Sequence, residues 1–87
     1  MKIKKGFAKR NIAGENIVVP LGNKNQFNGM ITLNETSSFL WDCLAKDTSE
    51  QQIAQKVVDE YDIDLETALG DVNKFVTMLR ENNLLDE

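Results

Sequence analysis

Met30-Ile31-Thr32-Leu33-Asn34-Glu35-Thr36-Ser37-Ser38-Phe39-Leu40-Trp41 is where the hydrophobic period of this chain changes. Up to Leu33 the pattern is that of a strand. Ile31 and Leu33 would share one face of a sheet, with Met30 and Thr32 on the other. Asn34 is a good helix N-cap, because its side-chain oxygen can accept one of the orphan N–H groups of a first turn. The spacing predicts a helix from there to about Ala45. Everything before the change reads as strands and everything after it as helices.

Working back, Phe7–Ile12 and Ile17–Leu21 read as two strands joined through Ala13-Gly14-Glu15-Asn16. Ile17-Val18-Val19 is β-branched and suits a pleated surface. Pro20 has no N–H to give a ladder and belongs at a strand end or on an edge. Gly22–Gln26 is polar, and Asn28-Gly29 is a turn or a bulge within the third strand. Working forward, Thr48-Ser49-Glu50-Gln51 fits a capping box with Thr48 as cap. In the helix that follows, Ile53, Val57 and Tyr61 step by four, with Ala54 and Val58 beside them. Asp64 caps a third helix running to about Glu81. Its predicted core stripe is Leu65, Leu69, Val72, Val76 and Leu79. Leu84-Leu85 follows a polar pair and should fold back onto the core.

The first helix is apolar almost all round and should lie between the sheet and the other helices. The third has a lopsided stripe. Phe75 and Met78 lie to one side of the core line, with Asp71 among them, and such a flank either packs on the sheet or stays partly open. Three strands cannot close into a barrel, so the sheet has edges. An edge beside a partly apolar helix flank is a ready groove for an extended peptide. An edge blunted by Lys and Pro is the alternative.

Composition narrows the function. The 87 residues make one small domain, 1–87, with 41% apolar side chains and a net charge of −4. Residues 1–24 carry six bases and one acid, and the remainder four bases and thirteen acids. That balance argues against nucleic acid as the main partner, because such affinity rests on cations meeting phosphates. With no His, Ser-His and Cys-His pairs and every His-containing zinc site are excluded. Cys43 is the one cysteine, and between apolar neighbours it reads as an inert core thiol. The acids of 59–66 lack EF-hand order and read as a solvated turn with a cap. No Gly-rich phosphate loop follows a strand. Apolar runs stop at three or four residues, so there is no membrane span and no secretory signal. The expectation is a cytoplasmic domain that is not an enzyme, with no catalytic residues, metal or cofactor.

Several segments together carry a family resemblance. They are Ala13-Gly14-Glu15 with Val18-Val19-Pro20-Leu21-Gly22, then Phe27-Asn28-Gly29-Met30-Ile31-Thr32-Leu33-Asn34-Glu35-Thr36 with Phe39-Leu40-Trp41. Thr48-Ser49-Glu50, Tyr61-Asp62-Ile63-Asp64 and Phe75 to Leu85 complete the ordered set. Across nearly its whole length the chain resembles the PqqD family. The resemblance implies an α+β, winged-helix-like fold, a three-stranded antiparallel sheet followed by three helices. It also implies a peptide-binding chaperone, which presents the leader of a ribosomal precursor peptide to a modifying enzyme, often a radical SAM enzyme. In such domains the leader adds as a strand beside the third strand and lies against the third helix. The matching positions are Met30, Ile31, Thr32 and Leu33, with Asp71, Lys74, Phe75 and Met78. Relatives serve quinone-cofactor, lasso-peptide and other modified-peptide pathways. The rival reading is a winged-helix nucleic-acid-binding regulator, disfavoured because Glu66, Asp71 and Glu81 offset Lys74 and Arg80. A third is self-association, with monomer and edge-paired homodimer both open.

Overall fold

The computed structural model describes residues 1–21 and 31–87. Gly22–Gln26, Asn28-Gly29 and Met30, named above as loop, turn and strand, lie outside the described residues. The elements are β1 (Lys2–Ile3), β2 (Phe7–Ile12), β3 (Glu15–Pro20), β4 (Ile31–Leu33), α1 (Glu35–Cys43), α2 (Glu50–Tyr61), α3 (Leu65–Glu81) and β5 (Leu85–Asp86). The predicted α+β order of strands and then three helices holds, with a second, two-stranded sheet in addition.

Strands β2, β3 and β4 form an antiparallel sheet in that order. The connection between β2 and β3 is tighter than expected. Ile12 pairs directly with Glu15, so only Ala13 and Gly14 turn, at φ of 54° and 84°. Positive φ at both central residues is the geometry of a type I′ hairpin, whose twist matches that of the flanking strands. Gly14 is at ease there, whereas Ala13 is strained. Replacing Ala13 by Asn should therefore stabilise the fold by roughly 0.5–1 kcal/mol. A rise in the urea midpoint at unchanged slope would register this, and a fall would contradict the turn assignment.

Side chains alternate as the pleat requires. Val18 and Leu33 are buried under the helices, and on the other face Thr32 is exposed while its partner Ile17 is buried outside the main core cluster. Pro20 ends β3, two residues past Val18↔Ile31, the last pair with β4 among the described residues. Lys9 projects from β2 to α1, donating to Ser38 Oγ at 2.8 Å and to Asp42 Oδ1 at 2.7 Å. One cation of the basic N-terminal segment thus joins sheet to helix and satisfies a buried hydroxyl.

Two of the three predicted helix caps stand where the sequence placed them. Asn34 Oδ1 accepts from Ser37 N at 2.8 Å, and Asp64 Oδ1 accepts from Thr67 N at 2.7 Å. The α2 cap is Ser49 rather than Thr48, with Ser49 Oγ accepting from Gln52 N. Thr48 is held instead by the start of the chain, its N–H donating to the Met1 carbonyl at 2.9 Å. With its N–H taken by Met1, Thr48 cannot receive the reciprocal bond from Gln51 that a capping box requires.

The Thr67 hydroxyl and N–H hold the Asp64 carboxyl below the usual carboxylate range. With the folded value depressed, this stabilisation is complete above an ordinary Asp value of about 3.9 and is lost as pH falls through the folded value. Asp64→Asn keeps an acceptor but cannot titrate. It should flatten the acid limb of stability against pH below about pH 4, as followed by urea midpoints.

The core stripe of α3 differs from expectation. The buried residues are Ala68, Val72, Phe75, Val76 and Leu79, while Leu65 and Leu69 are 40% and 36% exposed. α3 packs against both α1 and α2, so its buried arc is rotated toward the α1 side and takes in Phe75. On α2, Ile53, Ala54 and Val57 are buried as predicted, and Phe39 of α1 meets Tyr61 edge to face with centroids 5.5 Å apart. Leu84 and Leu85 do return to the core. They do so through β5, which pairs with β1 by Lys2↔Asp86 and Ile3↔Leu85.

Candidate functional site: an open strand edge beside an inter-helix groove

Among the described residues, β4 pairs on one side only, with β3. Its outer edge is free to pair with another extended chain. Ile31 is half-buried, Leu33 is buried and Thr32 faces outward, in the alternation the sequence predicts.

At the end of β4 the chain turns into α1, and there a groove of about 430 Å³ runs between α1 and α3. From α3 come Asp71, Lys74, Phe75 and Met78, and from the start of α1 come Asn34, Thr36, Ser37 and Leu40. All four α3 residues singled out in the sequence are thus brought together. Phe75, 7% exposed, is seated in the core with one face at the groove floor. Met78 is half-buried beside it, and Asp71 and Lys74 are exposed on the rim. Neither rim charge enters an ion pair among the described residues. By contrast Arg80, the other base of α3, is held by Glu87 through two hydrogen bonds of 2.9 and 2.7 Å.

Ile31, Thr32 and Leu33 do not line this groove. They reach it through Asn34, the next residue. Thr36, Ser37 and Leu40 were missed as wall residues. Leu40 reads as plain core, and only the packing angle of α1 on α3 opens it to the groove. A backbone edge running into an apolar floor with polar rims can bind an extended peptide. The edge pairs with its main chain, and the floor takes alternate side chains.

Cys43 is not sealed in the core as expected. It is half-buried, facing a cleft at the end of α1 that Lys46, Gln52 and Lys56 also line. Partial burial pushes its thiol up, opposed by Lys56 and reinforced by Asp42. The acidic 59–66 turn is accounted for locally, with Asp62 in a left-handed C-cap of α2 and Asp64 capping α3. No helix among the described residues is long and apolar enough to cross a membrane.

Fold and site together define a small α+β domain with an open strand edge alongside a helix groove. The chain belongs to the PqqD family, coenzyme PQQ synthesis protein D, which it matches over residues 15–85. Two solved structures share the fold. One is TbiB1 in complex with the TbiA(beta) leader peptide, 24% identical, with TM-score 0.80 over 99% of this chain and 95% of that one. The other is a lasso peptide synthetase B1 complexed with the leader peptide, 19% identical, with TM-score 0.75 over 95% of this chain and 93% of that one. No curated protein matches the chain.

Proposed function

We propose that this chain is a non-catalytic peptide-recognition domain. It binds the leader of a ribosomal precursor peptide by strand addition at the outer edge of β4 and presents it to a modifying enzyme. The observation that carries the reading is the β4 edge, unpaired on its outer side among the described residues, leading into a groove floored by Phe75 and Met78. Membership of the PqqD family supports it, as do two structural neighbours that each hold a leader peptide. A radical SAM enzyme is the partner the family resemblance suggests.

Ordering a disordered leader costs about 2–5 kcal/mol of the gross interaction. A net affinity near micromolar or somewhat tighter, about −8 to −10 kcal/mol, is expected. Amide chemical-shift mapping with the leader of a precursor from the same gene cluster tests the site. Shifts should concentrate on 31–34 and 71–78, whereas a cluster on 50–61 would move the docking face to α2. Titration with DNA and RNA duplexes tests the nucleic-acid alternative, and a submicromolar complex at physiological salt would overturn the peptide reading. Self-pairing of two copies through β4 would occupy the same edge, so added leader should dissociate such a dimer.

A further inference from the structure

Of the methionines at described positions, Met1 and Met78, only Met78 lines the groove. Its side chain is half-buried, packed against the core on one side and open to the groove on the other. Its main chain is pinned near the end of α3, where the Met78 carbonyl accepts from the Asn82 N–H at 3.1 Å and from Asn82 Nδ2 at 2.8 Å. The thioether stays over the groove unless both bonds break. For packing alone Leu would serve there as well, since the two side chains have similar volume. What Met adds is a sulfur that can be oxidised and reduced again.

We propose that Met78 is a modification site, oxidised reversibly by hydrogen peroxide to the sulfoxide, and that this closes the groove to peptide. The proposal rests on the peptide reading above and adds regulation of that same site.

The step balances with peroxide alone. The sulfur lone pair attacks one peroxide oxygen, forming an S–O bond as the O–O bond breaks. The other oxygen leaves as hydroxide and takes up the proton of the first, giving water. Sulfur loses two electrons and peroxide gains them. The product carries a strong acceptor where the groove was apolar. In the free protein water reaches that oxygen through the open groove, so the fold is little affected. A bound apolar side chain would strip the water away, and neither Phe75 nor Leu40 has a side-chain donor to replace it. Peptide affinity should fall roughly five- to tenfold. Other oxidisable groups are differently placed. Trp41 is buried. Cys43 faces the cleft at the other end of α1, and partial burial pushes its thiol up, which lowers the share of thiolate that peroxide attacks.

The test treats the intact protein with dilute peroxide, quenches it with catalase and maps the product by mass spectrometry. The probe is a peptide chosen from a phage-displayed random library on untreated protein, after removal of phage that bind Met78→Asp. One added oxygen at Met78 should accompany the loss of probe affinity, with the urea midpoint unchanged. Methionine sulfoxide reductases should restore the affinity. Probe bound during treatment should slow oxidation of Met78. Met78→Leu should show one probe affinity before and after peroxide, whatever its value. Met78 left intact by peroxide that converts free methionine, full conversion without loss of affinity, loss that the reductases do not reverse, or an equal loss in Met78→Leu would each overturn the switch and leave the groove reading standing. A library with no Met78-dependent binder, or a bound probe that leaves Met78 oxidation unslowed, would overturn the groove reading itself.

Discussion

Leader peptide should bind the Met78→Asp variant at least about 30-fold more weakly than the parent, a loss of about 2 kcal/mol or more. Met78 lies half-buried on the groove wall beside Phe75. A peptide side chain seated there would have to desolvate a carboxylate whose one nearby cation on the groove rim, Lys74 a turn earlier on α3, is exposed and screens it only weakly. Asp is short, so unlike Lys it cannot carry its charge out along an apolar stem. The substitution also touches the fold, because Met78 packs partly on the core and Asp is a poor residue near a helix C-terminus. Titrations should therefore be run well below the melting temperature. Met78→Gln supplies the control. It keeps helix propensity and adds no charge, and it should weaken binding several-fold. Equal binding by all three proteins would place the peptide elsewhere. The neighbouring Lys74→Glu change should matter only for a leader with an acid near it, with an effect that shrinks as salt rises.

Truncation of Leu84 to Ala should destabilise the domain by about 2–5 kcal/mol, a large part of the roughly 5–15 kcal/mol available to a protein of this kind. Leu84 is fully buried, its N–H donates to the Leu79 carbonyl and its carbonyl accepts from Lys4, both at 2.9 Å. It joins the end of α3 to the β1–β5 pair, so the cavity left behind has little freedom to collapse. A fall in melting temperature on the order of 10–30 °C is expected for a chain this size. Leu65→Ala and Leu69→Ala, at exposed positions on the same helix, should each cost under about 1 kcal/mol. If either matched Leu84→Ala, the buried face of α3 would be wrongly assigned. Leader affinity of folded Leu84→Ala should be unchanged, because no groove residue belongs to β1 or β5.

What the sequence determined by itself is what depends on near neighbours in the chain. Asn34 and Asp64 could be read as caps because a cap bonds an N–H three residues on. The strand face of Ile31 and Leu33 and the α2 stripe of Ile53 and Val57 followed from periods of two and 3.6. Asp71, Phe75 and Met78 were also legible, as a flank to one side of the apolar stripe, and Lys74 joined them only through the family resemblance.

What only the tertiary structure decided depends on residues far apart in the chain. The β1–β5 pair joins strands of two residues each, too short to show any period, and one end of the chain had to meet the other to form it. The same meeting gives the Thr48 N–H to the Met1 carbonyl and so removes the reciprocal bond of the expected capping box, and Ser49 is the α2 cap. A helical wheel orders the residues of α3 around its axis but cannot say which arc a neighbour will cover. Packing against both α1 and α2 buried Phe75 and left Leu65 and Leu69 exposed. That rotation also makes the groove. Phe75 can be both core and floor only because α1 crosses α3 where Leu40 and Asn34 stand opposite it. Burial is a property of the pair of surfaces in contact, and one helix's sequence specifies only its own half.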